Sequence, residues 1–294
     1  MACPQPGVLH TCRATWPTAT AFEFGVSKPT APLVLFVGGT GGTLMSTAYL
    51  PRLARGVEAH GWAFAQVNMV STGGGWGGVS VVQDAVDIAA ATAYFKKRGA
   101  PKIVLLGLST GGQDIIAYHH TLKQYTEVDG AVLQGPVSDR EFPDFQKFLE
   151  TAAAEPSGPP PDPREFVPRA WSDFWGCRGG ISYGRWKSMV GKPTSDEVNP
   201  AVSEDFFSSD LSDARLRNVF APVKCPVLVV LSGNDPSYPP HVKADIPALL
   251  ERFRQAAPTL SPLSTIIDGA SHTLRDPNHV GQFVERVVEF LATL

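Results

Sequence analysis

Five consecutive residues, Gly107-Leu108-Ser109-Thr110-Gly111, carry the strongest chemical signal in the chain. A serine hydroxyl attacks a carbonyl carbon only when it is presented beside a base on an uncrowded turn. Glycines on either side remove the side chains that would collide there. The base is expected after the last strand, and His272 in Asp268-Gly269-Ala270-Ser271-His272 stands there. Of the other six histidines, His119 and His120 fall on the helix after Ser109, His279 falls in the closing helix, and His10 and His60 come too early. His241 remains as a rival. The acid is expected after a late strand, where Asp235 in Leu231-Ser232-Gly233-Asn234-Asp235 is placed to accept the imidazole Nδ1–H and fix its tautomer. An aspartate beside a glycine also shapes turns, and Asp205, Asp210 and Asp213 are rivals by type. The order Ser109, Asp235, His272 is that of a serine hydrolase triad built on an α/β sheet.

Acyl transfer through a serine also needs two N–H donors for the oxyanion. The backbone N–H of Thr110, next to the nucleophile, is one. The second is expected from the loop Gly38-Gly39-Thr40-Gly41-Gly42, at Thr40 or alternatively Gly41. A dinucleotide loop fits this segment poorly. Leu44 stands where a third glycine belongs, no Gly-Lys-Ser/Thr follows, and the next strand ends without an acidic residue for a ribose.

These residues need elements to hold them. Leu33–Val37 is an unbroken apolar run, as suits a strand covered on both faces. A helix is predicted from Ser46 to His60, a strand over Ala63–Met69, a glycine-rich loop over Ser71–Gly78 and a helix over Val82–Lys97. The strand Ile103–Leu108 then runs into Ser109 and a helix reaching about Leu122. Strands at Ala131–Gln134, Val227–Ser232 and Leu263–Ile267, and a closing helix Pro277–Leu291, complete the rhythm of a mostly parallel sheet covered by helices. Residues 138–223 break it. They hold a proline-rich stretch, Glu155–Pro163, and the aromatics Trp171, Phe174, Trp175, Tyr183 and Trp186. This region reads as a cap inserted between two parts of one core, 1–137 and 224–294, or as a helical excursion on the sheet edge.

The 294 residues, 43% hydrophobic and 18% charged, suffice for one large core. A formal net charge of −3 and scattered basic residues argue against a nucleic-acid partner. No apolar run is long enough for a membrane span, and the first residues lack a signal-peptide pattern, so a cytoplasmic protein is expected. The four cysteines have no zinc spacing. A Cys3–Cys12 disulfide and free thiols both fit, and no metal or other cofactor is expected.

Three segments extend the picture: Gly107–Asp114, Gly135-Pro136-Val137-Ser138-Asp139-Arg140-Glu141, and Glu204-Asp205-Phe206-Phe207-Ser208-Ser209-Asp210-Leu211-Ser212-Asp213. Together they resemble the DUF1749 family, mainly fungal α/β-hydrolases that include esterases of fusarinine-type siderophores. The likeness runs from about Leu33 to Phe290. It implies an α/β-hydrolase fold and a small-molecule ester of fungal secondary metabolism as substrate, with a hydroxamate siderophore ester as first candidate. Leu108, where relatives have histidine, and the changes at Thr40, Gly42 and Asn234 depart from the family pattern around the expected pocket. Trp76, Arg140, Trp171 and Trp175 are further pocket candidates, although Asp114, Asp139, Arg140 and Glu141 also suit ion pairs that tie a cap to the core. The expected reaction is ester hydrolysis through an acyl-enzyme. An acyltransferase or thioesterase, or a non-catalytic ligand-binding homologue, is the alternative.

Overall fold

A computed structural model describes residues 4–121, 127–151 and 162–294. The expected Glu155–Pro163 stretch lies mostly outside these residues, as does Cys3 and with it any Cys3–Cys12 pairing.

In chain order the strands are β1 (Gly7–Arg13), β2 (Ala19–Phe24), β3 (Leu33–Val37), β4 (Ala63–Asn68), β5 (Ile103–Leu108), β6 (Gly130–Gln134), β7 (Val227–Ser232) and β8 (Thr265–Ile267). They form one eight-stranded sheet in the order β1-β2-β4-β3-β5-β6-β7-β8. β1 and β2 pair antiparallel, as do β2 and β4, and every later pairing is parallel.

The helices are α1 (Leu50–Glu58), α2 (Val81–Arg98), α3 (Thr110–Thr121), α4 (Pro143–Thr151), α5 (Arg169–Phe174), α6 (Tyr183–Val190), α7 (Asp213–Phe220), α8 (Pro240–Ala244), α9 (Ile246–Ala256) and α10 (Pro277–Leu291). A 3-10 turn spans Gly73–Gly78.

Alternate strand residues face opposite layers, which explains why β3, β5, β6 and β7 are buried throughout and apolar but for the terminal Gln134 and Ser232. Val34, Phe36, Val104, Leu106, Val132, Leu228 and Val230 meet α1 and α10 on one face. Leu33, Leu35, Val37, Ile103, Leu105, Leu133, Val229 and Leu231 meet α2, α3, α7 and α9 on the other. α10 presents Val280, Phe283, Val287, Phe290 and Leu291 to the sheet, at the spacing of a single helical stripe. Ser80 caps α2 through Gln83 N–H, and Gly99 in the left-handed region ends it.

The central strands match the sequence reading closely. The N-terminal pair β1 and β2 does not appear in it, because short antiparallel edge strands lack the buried-run signature: Leu9 is exposed on β1. Among the described residues of 138–223 are α4 to α7. Here Phe145, Trp171, Ile181, Trp186 and Met189 build a separate small core against Trp76.

Candidate active site

All loops that matter leave the carboxyl ends of β3, β5, β7 and β8, the edge where parallel α/β sheets bind ligands. Ser109 follows β5 at φ +56°, a left-handed conformation that strains any residue with a side chain. The strain is held by its surroundings: Ser109 N–H donates to the Gln134 carbonyl at 3.0 Å, and Gly112 N–H donates to the Ser109 carbonyl at 2.7 Å. A Cβ at Gly107 would collide with the backbone of Gly111, and a Cβ at Gly111 would collide with the Val37 carbonyl. The two glycines of the motif are therefore demanded by the closeness of strand, turn and helix.

Asp235 follows β7, is fully buried, and lies 2.6 Å from His272 through Oδ2 and Nδ1. Its other oxygen accepts Ser237 N–H at 2.9 Å, which fixes the carboxylate plane. With Nδ1–H donating to Asp235, the imidazole Nε2 is left as an acceptor. The loop bearing His272 has a second anchor. Gln134 Nε2 donates to the His272 carbonyl at 3.0 Å, and the Tyr49 hydroxyl donates to Gln134 Oε1 at 3.0 Å. Burial pushes the Tyr49 phenol far above its ordinary range, so it stays a donor. Sequence reading missed both residues; the one visible signal was a glutamine ending an otherwise apolar strand, Gly130–Gln134.

The loop after β3 passes directly against Ser109. A Cβ at Gly39 would stand 3.1 Å from Ser109 Cβ. The hydroxyls of Thr40 and Thr110 hydrogen-bond to each other, so the structure brings the two expected oxyanion residues together. Gly41 adopts φ +66° with the Trp76 indole packed on it.

A cavity of about 660 Å³ opens over these groups. Ser109, His272, Leu108, Gly39 and Thr40 line it, together with Tyr49, Arg52, Leu274 and Arg275. Trp76, Arg140, Trp171 and Trp175 do not line it. Trp171 packs on Trp186 with ring centroids 4.7 Å apart, and Trp175 packs on Phe145 at 5.5 Å. An insertion of this length needs its own apolar core, and these aromatics supply it. His241 bonds the Ser209 hydroxyl at 2.7 Å. Asp205 and Asp210 pair with Arg140, and Asp213 with Arg252.

The chain matches, over residues 1–292, the family described as "Protein of unknown function (DUF1749)". The chain belongs to the DUF1749 family. It is 30% identical to Esterase AN6793 of Emericella nidulans, covering 98% of this chain and 93% of that one. It is also 30% identical to the fusarinine C esterase sidJ of Aspergillus fumigatus, covering 98% and 96%. Among solved structures, the siderophore hydrolase EstB from Aspergillus fumigatus superposes with a TM-score of 0.77 at 28% identity, over 99% of this chain and 98% of that one. The fold is the α/β-hydrolase fold, and this DUF1749 member is an ester-hydrolysing enzyme.

The structure gives the DUF1749 segments a physical role. Arg140 Nε donates to Asp205 at 2.9 Å, Glu141 accepts the N–H and hydroxyl of Ser209 at 2.6 and 2.7 Å, and the Ser138 and Ser208 hydroxyls lie 2.6 Å apart. Arg252 donates to the carbonyls of Ser209 and Leu211. The loop after β6 and the segment 204–213 are thus laced into one unit, with Phe206 and Phe207 driven into the core beneath.

A buried charge cluster lies beside the loop Gly38–Gly42. Arg185 of α6 pairs with Glu204 at 2.5 Å and is the cation nearest to Asp84 of α2, Asp114 of α3 and Asp139. One guanidinium cannot balance four ionised carboxylates in a dry interior. Burial pushes Asp84 up to about 6 despite the Ser71 hydroxyl and Arg185, and pushes Glu204 up to about 8 despite Arg185. Burial, then the charge of Asp84, raises Asp114 well above the usual carboxylate range. One oxygen of Asp84 and one of Asp114 have no hydrogen-bond partner among the described residues, and the charge of Asp84 adds to the upward push on Asp114. A cavity of about 20 Å³ separates them from Thr40 and Thr110, roughly the room for one water molecule.

Proposed function

We propose that Ser109, His272 and Asp235 form the catalytic triad of this DUF1749 esterase and that its substrate is a hydroxamate siderophore-type ester of fungal secondary metabolism. The observation that carries the reading is the 2.6 Å pairing of buried Asp235 with His272, which lines the same cavity as a serine held at φ +56°.

Ser109 Oγ attacks the ester carbon as His272 Nε2 takes its proton. The Thr110 and Thr40 N–H groups, with Gly41 as the alternative second donor, stabilise the tetrahedral oxyanion. His272 returns the proton to the leaving alcohol, then activates water against the acyl-enzyme to release the acid and regenerate Ser109. Asp235 orients the imidazole and stabilises its charged form without itself taking the proton. The cavity reaches bulk solvent past exposed Arg52, Thr273 and Arg275, which supports water as the acyl acceptor. The substrate class draws support from sidJ, named for fusarinine C, and from EstB, a siderophore hydrolase. We assign the segment 138–223 as a cap whose aromatic core braces the Trp76 turn behind the oxyanion loop.

Incubation with fusarinine-type and acetylated siderophores, iron-free and iron-loaded, followed by mass spectrometry tests the substrate. Release of hydroxamate acid monomers by wild-type protein, abolished in Ser109→Ala, is expected. No release from any of them would refute the siderophore assignment.

A further inference from the structure

The charge of the cavity over Ser109 differs from that of the whole protein. The chain carries a formal −3, yet among the described residues no aspartate or glutamate lines this cavity, while two arginines do. Arg52 projects from α1, and Arg275 from the loop that follows His272. Neither guanidinium has an ion pair among the described residues. By contrast, Arg140, Arg185 and Arg252 are each paired with a carboxylate.

Arg52 is nevertheless placed. One of its nitrogens donates to the Pro277 carbonyl, and another lies against Gly281, where a Cβ would stand 2.9 Å away. Its fork is seated on the first turns of α10, with further N–H donors available. Asp276, next to Arg275, is the neighbouring acid, and it caps α10 by accepting Asn278 N–H at 2.7 Å. The rest of the lining is apolar or hydroxyl-bearing: Leu108, Leu274, Val280, Ser46, Thr47 and Thr273.

We propose that Arg52 and Arg275 form an anion subsite beside the nucleophile, and that the preferred substrate is an ester carrying a free carboxylate. This rests on the assignment of Ser109 and His272 as the site of ester cleavage. Guanidinium pairs recognise carboxylates through parallel charge-assisted hydrogen bonds. At the mouth of a cavity, they also concentrate anions that the net negative protein would otherwise repel.

The test is a matched pair of substrates: the mono-4-nitrophenyl esters of dicarboxylic acids from glutarate to suberate, and the same compounds with the free carboxylate methylated. Wild-type protein should show kcat/KM about tenfold higher for the carboxylates, the worth of one hydrogen bond to a charged group. Salt at about 0.5 M should erode that ratio, because it screens exposed charges. In the double variant Arg52→Gln/Arg275→Gln the ratio should fall towards one. A wild-type ratio near one at low salt, a ratio unchanged by salt, or one unchanged in the variant overturns the subsite. The salt series decides the matter even where the variant folds poorly. Equal turnover of both esters would sink the subsite and leave the hydrolase assignment standing; turnover of neither would sink both.

Discussion

Replacing Ser109 by glycine separates stability from catalysis at one position. The left-handed φ of Ser109 costs on the order of 1 kcal/mol that glycine would not incur. Ser109→Gly should therefore melt a few degrees higher by calorimetry while losing all turnover. A lower melting temperature would mean that the serine side chain holds the turn together. The two candidate bases are separated as sharply. His272→Ala should lower kcat by about 10⁴ or more, in line with loss of a triad base, while His241→Ala, which removes only the bond to Ser209, should stay within about threefold of wild type. The reverse result would exchange their roles. Tyr49 and Gln134 hold the His272 loop through hydrogen bonds, and Tyr49 also lines the cavity. Tyr49→Phe should reduce kcat by roughly tenfold, about the 1–1.5 kcal/mol of one lost hydrogen bond, with KM little changed. A change confined to KM would place Tyr49 in substrate binding instead.

Among the elements, the turn from β5 into α3 has the least tolerance. Gly107→Ala drives a methyl group into the first turn of α3 and Gly111→Ala drives one into the end of β3, so both variants should fail to accumulate as soluble protein. Normal expression and melting of either would show that the turn is looser than described. Sequence reading located this turn, the buried strands around it and α10 almost residue for residue. Unbroken apolar runs and a single apolar stripe admit few other interpretations. It did not see β1, β2, α8 or α9. An exposed edge pair has no continuous buried run, and α8 and α9 are separated only by Asp245, which caps α9 through Ala248 N–H. The aromatics of residues 138–223 stood out by type, but type does not say which way a ring faces. Trp171 and Trp175 face each other's neighbours in a small core, and Arg140 faces two aspartates. Arg52 and Arg275 gave no sequence signal, because isolated surface arginines are common and only the folded chain brings them to one cavity.

At the scale of the whole molecule, α2, α3, α6 and the segment around Glu204 are joined by buried groups that titrate. Asp84 and Glu204 hold protons in the folded state that they release in the unfolded chain, because burial raises both. The folded protein therefore binds more protons than the unfolded chain between their ordinary values near 4 and their raised values of about 6 and about 8. Stability should be greatest at the acidic end of that window and fall as pH rises through it. Calorimetry from about pH 5 to pH 8.5 should show this decline, and the double variant Asp84→Asn/Glu204→Gln, which removes both titrating groups, should flatten it. A melting temperature that climbs with pH over this range would show the cluster to be ionised and held together by Arg185. Asp84, Asp114 and Arg185 line one small cavity with Thr40 and Thr110.

Labelling with a fluorophosphonate, read by intact mass and peptide mapping, tests most directly the claim that Ser109 is an activated nucleophile. One adduct per chain is expected, located on Ser109, absent from Ser109→Ala and formed far more slowly in His272→Ala. Labelling of Ser109→Ala at the wild-type rate, or an adduct mapped to any other serine, would contradict it.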